Sequence, residues 1–522
     1  MNWKRPLALS TAALTLGTAL AACGNPTAAA PDPTPTPAAE VQSLSTTGST
    51  VKAPKYVFLF IGDGMSYPQI QSTSDFLGAL NDADYRQAQP SLDDNGGAIL
   101  DGPEYLNFMN FEAAGSAVTY DSNSFAPDSA STATSISTGY KTYSGSINVD
   151  ETGTISYETI AEQLHAQKGY SVGVITSVNL NHATPAAFYA HQASRNDYYD
   201  IGLELIDSGF EYFAGGGLLK PPGAEGDQAD LYALAEKAGY HVVKTQAEAE
   251  QVTGGPVVII DEHLADSDAM AYEIDRTDDM WALADYVEKG IEVLSQDKDG
   301  FFMMCEGGKI DWACHANDAA STIHDTQALA DAVQVAIDFA KEHADETLIL
   351  VTSDHETGGL TIGFAGTDYD TYLDLLESQK ISYAKFDSDY VSRYKEDKTS
   401  FEDVLKDVEA LFGLKPQGEE GDKLVLTDYE LEQLRAAYEK SVNGTAASQY
   451  EQEEYVLYGT YEPLSVTLTH IINNKSGISF TSYSHTGLPV AVLAHGVNAG
   501  QFNGYYDNTQ IYHKLAGMLG IA

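Results

Sequence analysis

The sequence predicts an α/β fold: a mostly parallel sheet sandwiched between helices, with a helical insertion late in the chain. Three observations support this prediction. Apolar runs of strand length recur along the chain, helical patterns separate them, and the runs are apolar throughout, as in strands buried on both faces of a sheet. The clearest runs cover residues 56–61, 171–176, 301–305, 347–351 and 488–494, and the clearest helical patterns cover residues 157–167, 280–294 and 321–343.

The N-terminus has the pattern of a targeting segment. Lys4 and Arg5 precede an apolar run, residues 6–22, that is too short to span a bilayer comfortably. The run leads into Leu-Ala-Ala-Cys at residues 20–23, which resembles a bacterial lipoprotein signal; an uncleaved anchor helix is the alternative. We therefore expect residues 1–22 to be a signal peptide and Cys23 to carry lipid. The mature protein would be exported and anchored in the bacterial cell envelope, on its periplasmic or extracellular face.

The rest of the chain divides by composition. Residues 23–54 are rich in Pro, Thr, Ala and Ser, which predicts a disordered tether. The α/β domain is then expected in two parts, residues 55–365 and 471–522. Between them, residues 366–470 predict a helical insertion, in which Ser400 and Thr427 begin capped helices. Because the insertion follows the strand predicted at 347–351, we expect it to pack near the mouth of a site at that strand's end.

Charge and cysteine content narrow the range of partners. The chain has 28 basic against 76 acidic residues and a formal net charge of −48. Nucleic acid is disfavoured as a partner, because phosphate backbones require clustered Lys and Arg. An anionic substrate would need a local attraction, such as metal ions or one well-placed Arg. Besides Cys23 the chain has only Cys305 and Cys314, so no disulfide framework is expected.

Ser129 is the candidate nucleophile. It lies in residues 126–139, where Asp128 precedes a run of Ala, Ser and Thr that predicts a tightly packed helix. A serine hydroxyl needs activation by a base, a lowered pKa or a metal ion. The alternative is structural, with Asp128 capping a serine-rich helix. The neighbouring sequence offers no base, so any activator of Ser129 has to come from elsewhere in the chain.

Polar residues follow four of the predicted strands. In chain order they are Asp63, then His182 and Thr184, then Glu306, then Asp354 and His355. Ligands of open α/β sheets bind outside the carboxyl ends of the strands. The sequence therefore predicts that these side chains belong to one site.

The candidate metal ligands are carboxylates and histidines with one hydroxyl: Asp63, Thr184, Glu306, Asp311, His315, Asp354, His355 and His485. Mixed sets of His and carboxylate suit zinc, whereas oxygen-only sets suit magnesium. Asp311 and His315 are four residues apart and so face one way on a helix or turn. Metal ions at such a site would be the activator that Ser129 lacks locally.

Five motifs make the chain similar to the alkaline phosphatase family, from the first strand to the C-terminus apart from the tether and the insertion. They are the nucleophile region around Asp128-Ser129-Ala130, the stretch Glu306-Gly-Gly-Lys-Ile-Asp311-x-x-x-His315, and residues 352–355, 182–186 and 484–487. Their order and their places at strand ends make the resemblance specific. It implies an alkaline phosphatase-like fold and the hydrolysis of small phosphate monoesters through a phosphoserine.

The resemblance also implies two zinc ions and one magnesium ion. One zinc would bind Asp311, His315 and His485, the second zinc Asp63, Asp354 and His355, and magnesium Asp63, Thr184 and Glu306. Arg195 matches the arginine that holds phosphate oxygens, for which its planar fork is suited. Asp128 would orient Arg195, although a surface ion pair is the alternative for this arginine. Homodimers are common in the family.

Two positions depart from the best-known bacterial pattern. His182 stands where some members have Asp near the magnesium site, and Trp312 stands where they have Lys beside the zinc motif. We expect both side chains to border the metals, and the magnesium affinity and pH optimum to differ most among members. Lys309 either adds positive charge to the site or is solvated.

Other functions remain alternatives at the level of sequence. A phosphodiesterase of the same superfamily would use the same metals and differ in pocket shape. A sulfatase would need Pro two residues and Arg four residues after its nucleophile, where this chain has Ser131 and Ala133. A lipoprotein that binds phosphate or metal without turnover is an alternative from another class.

Overall fold

The computed structural model describes residues 52–83, 85, 100–444 and 451–521. The predicted signal peptide, the lipid-bearing Cys23 and all but the last three residues of the predicted tether lie outside these ranges. In chain order the strands are β1 (Tyr56–Gly62), β2 (Ala113–Val118), β3 (Ser171–Asn179), β4 (Tyr212–Gly216), β5 (His241–Val243), β6 (Val257–Ile260), β7 (Phe301–Gly307), β8 (Thr347–Thr352), β9 (Glu356–Thr357), β10 (Thr361–Ile362), β11 (Ile478–Ser479), β12 (His485–Thr486), β13 (Val490–Gly496) and β14 (Gly504–Asp507).

Ten of these strands form one sheet in the order β14-β2-β13-β8-β1-β7-β3-β4-β6-β5. The seven from β8 to β5 are parallel, as predicted. The run predicted at residues 488–494 is the exception, because β13 is antiparallel to both of its neighbours. The chain reaches β13 from His485, which lies at the site beyond the carboxyl end of β8, so the strand has to run back across the sheet.

Helices cover both faces of the sheet and make up most of the insertion. Their ranges are Tyr67–Asn81, Ser129–Thr138, Ile160–Lys168, Ala183–Ala186, Tyr198–Ser208, Leu231–Ala238, Gln246–Ala249, Leu283–Leu294, Lys309–His315, Ala319–Glu342, Tyr383–Phe386, Ser392–Asp397, Phe401–Phe412, Asp428–Ser441, Glu451–Tyr458, Pro463–Ser476 and Thr509–Leu519. The three helical patterns named from sequence correspond to Ile160–Lys168, Leu283–Leu294 and Ala319–Glu342.

Strand β1 shows why the runs are apolar throughout. All seven of its residues are buried. Val57, Leu59 and Ile61 pack into the core on one face of the sheet, whereas Tyr56, Phe58 and Phe60 pack into the core on the other. Successive side chains of a strand point to opposite faces, so a strand with helices on both sides needs apolar residues at every position.

The insertion has an apolar core of its own, built from residues such as Phe386, Phe401 and Leu434. Ser400 and Thr427 cap its helices, as the sequence predicts. The predicted boundary at residue 470 falls inside the helix Pro463–Ser476. Leu468 of this helix packs in the core of the insertion, and its neighbour Ile472 packs in a cluster against the α/β domain, so one helix joins the two parts.

None of the helices in the described ranges combines the length and the apolar content that crossing a bilayer requires. Cys305 and Cys314 are free, buried thiols.

Candidate active site

Ser129 is the first residue of a helix whose ten residues are all buried. Asp128 caps this helix, since its side chain accepts a hydrogen bond from the Ser131 backbone N–H at 3.1 Å. The helix cap that the sequence predicts at Asp128 is therefore present. Small Ala, Ser and Thr side chains let the helix pack closely, and its N-terminus, which attracts anions, points to the site at Ser129.

The Ser129 hydroxyl contacts a polar side chain from a distant part of the sequence. Ser129 Oγ lies 3.1 Å from His355 Nε2. Burial, together with the charge of His485, lowers the pKa of His355 well below its usual range. A histidine with so low a pKa is a poor proton acceptor at neutral pH, so this contact does not make His355 an effective general base.

His355 also lies between the two carboxylates that follow β1 and β8. Its Nε2 is 3.4 Å from Asp63 Oδ1 and 3.2 Å from Asp354 Oδ2. These residues meet because β1 and β8 are adjacent and parallel, so their carboxyl ends coincide. The structure thus brings together the three residues expected to bind the second zinc.

Hydrogen bonding decides which nitrogen of His355 is free. The Thr357 hydroxyl donates its proton to Asp311 Oδ1 at 2.6 Å and lies 3.2 Å from His355 Nδ1. Since that hydroxyl has only one proton, it must accept from Nδ1–H, which leaves Nε2 as a bare lone pair among carboxylate oxygens. Acceptor atoms that face one another in this way have the donor set of a metal site.

Asp311, His315 and His485 form a second group. His315 Nε2 is 3.3 Å from Asp311 Oδ2 and 3.1 Å from His485 Nε2. The Nδ1 atoms of the two histidines face backbone carbonyls, those of Tyr483 at 2.6 Å and Pro127 at 2.5 Å. Because a carbonyl can only accept, both Nδ1 atoms are protonated and both Nε2 atoms are free to bind a metal.

The two groups are continuous. One ligand atom each from Asp311, His355 and His485 lie within 4.8 Å of one another, as do those of Asp63, Asp354 and His355. His355 therefore lies at the junction of the two groups, beside Ser129.

The third expected ligand set consists of oxygen atoms. The Thr184 hydroxyl donates to Asp63 Oδ2 at 3.4 Å, and Glu306, near the end of β7, accepts from the hydroxyl of Thr176. Asp63 Oδ1 and Glu306 Oε1 are buried and have no hydrogen-bond donor among the described residues. The sequence analysis missed Thr176, because β3 also contains Ser171 and Ser177 and nothing local distinguishes the three hydroxyls.

Four buried carboxylates at one site repel each other. Burial and neighbouring carboxylates raise the pKa of Asp63 well above its usual range, that of Glu306 to about 7 and that of Asp354 to about 8. Burial also acts to raise the pKa of Asp311, but the charge of His315 outweighs it and lowers that pKa. Divalent cations would stabilise all four carboxylates in their charged form, so the donor set fits the metals that the sequence implies.

Arg195 lines the cavity onto which the ligand groups open. Its Nη1 donates to Asp128 Oδ2 at 2.8 Å, and its backbone N–H donates to the Gly145 carbonyl at 2.7 Å. The pair is about one-fifth exposed, so the alternative of a surface ion pair does not describe it. Asp128 thus contacts both Arg195 and the start of the Ser129 helix, which is the geometry its expected orienting role requires.

His182 and Trp312 border the ligand groups. Burial and the charge of Arg195 lower the pKa of His182 to about 3, so this ring is neutral. Lys309 is fully buried, with its Nζ 2.6 Å from Asp266 Oδ1 and 4.5 Å from the centre of the Trp312 ring. The interpretation of Lys309 as a solvated lysine is wrong, because a carboxylate and aromatic rings take the place of water around its ammonium group.

A cavity of about 350 Å³ opens onto these groups. Seven of its lining residues are predicted site residues: Ser129, His182, Arg195, Asp311, Trp312, His315 and His485. The sequence analysis missed the other four, which are Asp266, Ser267, Tyr383 and Tyr461. The two tyrosines belong to the insertion, so the insertion does pack at the mouth of the site.

The chain is similar to known proteins of one family. The family model for alkaline phosphatase matches residues 54–521. Alkaline phosphatase 3 of Bacillus subtilis is 30% identical over 467 residues, which cover 88% of this chain and 87% of that protein. The alkaline phosphatase of Escherichia coli is 28% identical over 350 residues, which cover 58% of this chain and 70% of that protein.

Solved structures agree with the fold. The cold-active alkaline phosphatase of a Shewanella species has 28% identity and a TM-score of 0.69, with 89% of this chain and 99% of that chain covered. The Thermus thermophilus enzyme shares the fold with a TM-score of 0.71 at 23% identity, with 90% of this chain and 92% of that chain covered. The chain belongs to the alkaline phosphatase family of metal-dependent phosphomonoesterases.

Proposed function

We propose that this phosphomonoesterase works through a phosphoserine at Ser129, with two zinc ions and one magnesium ion. One observation carries the proposal. Ser129 Oγ lies at a helix N-terminus, 3.1 Å from the histidine that joins two groups of metal-ligand side chains. The same cavity contains the guanidinium of Arg195, which suits the oxygens of a phosphoryl group.

The residues divide among the metals as the family resemblance implies. Asp311, His315 and His485 would hold one zinc, Asp63, Asp354 and His355 the other, and Asp63, Thr184 and Glu306 magnesium. When bound, such metals lower the pKa of a hydroxyl or water and neutralise the charge that develops on the attacking and leaving oxygens. The neutral His182 beside Arg195 makes the magnesium position the one at which this chain departs most from the bacterial pattern.

The remaining chemistry belongs to the side chains. Ser129 Oγ gives its proton to solvent and attacks phosphorus, forming a new P–O bond while the bond to the leaving alcohol breaks and the departing oxygen takes up a proton from solvent. Water then attacks the phosphoserine on the side that the alcohol vacated, and the bond to Oγ breaks to release phosphate. In both steps Arg195 holds two non-bridging oxygens and the helix N-terminus favours their charge.

The test compares a monoester with a diester. We expect the purified, metal-loaded protein to hydrolyse 4-nitrophenyl phosphate at alkaline pH far faster than bis(4-nitrophenyl) phosphate. EDTA should abolish the activity, and zinc with magnesium should restore it. Ser129→Ala should lower kcat by more than a hundredfold, whereas Ser135→Ala on the same helix should not. A faster rate on the diester would favour the phosphodiesterase alternative, and undiminished phosphate binding without turnover would favour the non-catalytic one.

We also propose that the chain is exported and anchored by lipid at Cys23, because residues 20–23 resemble a lipoprotein signal. Cells that express the full chain should incorporate labelled fatty acid into it and hold it in the membrane fraction. Cys23→Ser should remove both. A homodimer, common in the family, is a further proposal that sedimentation analysis of the purified protein would test.

A further inference from the structure

The cavity is larger than the phosphoryl group alone requires, and one part of it is aromatic. Its volume of about 350 Å³ lies in the range of small-molecule sites, roughly 300–1,000 Å³. Ser129, Arg195 and the metal-ligand side chains account for the phosphoryl end. Trp312, Tyr383 and Tyr461 line the same cavity, and all three are only partly buried. We call these three residues the aromatic wall.

Neighbouring groups hold the rings of the aromatic wall in place. Lys309 Nζ lies 4.5 Å from the centre of the Trp312 ring. The rings of Tyr383 and Tyr461 meet edge to face at 5.7 Å, and the hydroxyl of Tyr383 accepts a hydrogen bond from Tyr272 at 3.2 Å. Rings that are already fixed lose little conformational entropy when a ligand stacks on them.

The charges in the cavity also restrict the leaving group. Arg195 is the one Arg or Lys among the described lining residues, and the phosphoryl group uses it. Asp266, which also lines the cavity, is about one-third exposed. The carboxylate of Asp266 is already paired with Lys309 at 2.6 Å. A second anionic group on the substrate would therefore find no unpaired cation among the described lining residues, which favours a leaving group without charge.

We propose that the aromatic wall binds a flat, uncharged ring in the leaving alcohol, so that nucleoside and aryl phosphates are the preferred substrates. This inference rests on the proposed function at Ser129. The insertion would then determine the substrate preference, because it supplies Tyr383 and Tyr461. Stacking of one ring on a fixed aromatic side chain contributes enough for about a tenfold change in kcat/KM.

Matched substrate pairs test the proposal on the wild-type protein. Adenosine 5′-monophosphate and ribose 5-phosphate share the same primary alcohol at the reacting centre and differ in the base. Benzyl phosphate and cyclohexylmethyl phosphate differ mainly in the flatness of the ring. We expect kcat/KM to be about tenfold higher for the aromatic member of at least one pair, which is adenosine 5′-monophosphate or benzyl phosphate. The pair that shows the difference distinguishes a nucleoside preference from a simple aryl preference. Ratios near one in both pairs would overturn the inference.

Variants then locate the effect. Tyr461→Leu keeps an apolar side chain but removes the ring. In the pair that shows a preference, it should bring the ratio of the two kcat/KM values close to one, while ribose 5-phosphate is hydrolysed at about the wild-type rate. Tyr461→Phe should keep the ratio. Tyr429→Ala, at an exposed tyrosine of the same insertion outside the cavity, should leave all rates unchanged. A ratio unaffected by Tyr461→Leu would overturn the inference, whereas a protein that hydrolyses none of the four esters would instead overturn the proposed function.

Discussion

The orientation of Arg195 depends on a chain of side chains that begins at Asp121. Asp121 Oδ2 lies 2.8 Å from Ser131 Oγ, which is 2.9 Å from Asp128 Oδ1. The other oxygen of Asp128 accepts from Arg195. Burial acts to raise the pKa of Asp128, but the charge of Arg195 and backbone donors outweigh it and lower that pKa. Asp128 is thus ionised at every pH at which the enzyme would be assayed.

Removing that charge should loosen Arg195 without removing the helix cap. In Asp128→Asn the amide oxygen can still accept from Ser131 N–H and Gly145 N–H. We expect kcat/KM for a monoester to fall about tenfold, equivalent to about 1.4 kcal/mol, with a similar rise in the inhibition constant of phosphate. Steady-state kinetics with phosphate as inhibitor checks this. An unchanged phosphate affinity would contradict the orienting role.

His191, in the segment that leads to Arg195, should make stability depend on pH. Burial acts to lower its pKa, but hydrogen bonds and charges of Glu162 and Glu204 outweigh it and raise the pKa to about 10. Because the pKa of His191 is higher in the folded state than its ordinary value of 6.5, the protonated side chain stabilises the protein fully below pH 6.5. This contribution to the free energy of unfolding is lost as the pH rises to about 10.

We therefore expect His191→Gln to lower the free energy of unfolding by about 2 kcal/mol at pH 6 and by little at pH 10. Denaturant titrations across that range measure it. His241→Gln, at an exposed histidine on β5, is the control and should show no such trend. A difference that stays constant with pH would show that packing, and not charge, explains the loss.

Among the secondary-structure elements, the helix of Ser129 is fixed at both ends. It ends at Gly139, whose φ of 79° is in the left-handed region. A Cβ there would lie 2.5 Å from Tyr512 Cδ1, on the C-terminal helix. The helix that begins at Ser129 is thus fixed at its N-terminus by the Asp128 cap and at its C-terminus by a close contact with a distant helix.

Two glycines that end helices separate steric contact from backbone strain. Gly139→Ala should lower the free energy of unfolding by about 2–3 kcal/mol, since it adds a clash to the strained φ. Gly209 ends the helix Tyr198–Ser208 with a φ of 69°, but a Cβ there would meet nothing within 4 Å. Gly209→Ala should therefore lower the free energy of unfolding by only about 1 kcal/mol. Thermal unfolding of both variants checks the difference. Equal losses would mean that the contact with Tyr512 relaxes without cost.

For the whole molecule, the metal-ligand groups join parts of the chain that are far apart in sequence. Asp63, Asp311 and Asp354 follow β1, β7 and β8, and His485 lies in β12, so three buried carboxylates and a partly buried histidine meet at one edge of the sheet. Without cations, the repulsion among these carboxylates opposes folding. Metal binding and stability should therefore be coupled.

We expect chelation with EDTA to lower the thermal midpoint by several degrees and added zinc with magnesium to restore it. A ligand present at a thousand times its dissociation constant stabilises the native state by about 4 kcal/mol per site. Differential scanning calorimetry at matched ionic strength measures the shift. In Asp354→Asn, which removes one ligand charge, the shift should be smaller. An identical midpoint with and without chelator would contradict the coupling.

Much of this protein follows from local sequence. Apolar runs, glycines and caps predicted β1, β3, β7 and β8 and the helices around them, because periodicity and burial act over a few residues. The same local logic placed Asp63, Glu306, Asp354 and His355 at strand ends. It failed for the direction of β13, since that direction depends on where distant segments meet.

The sequence by itself predicted the α/β fold and identified Ser129 and the candidate metal ligands, because strand periodicity and short motifs depend on neighbouring residues. The tertiary structure decided what surrounds them. Asp121, Asp266, Tyr383 and Tyr461 belong to no motif, and long-range packing alone brings them to the site. The same packing buried Lys309 against Asp266, which no local pattern could distinguish from a solvated lysine. Local motifs therefore predict the candidate residues of the site, whereas the shape of its cavity depends on long-range packing.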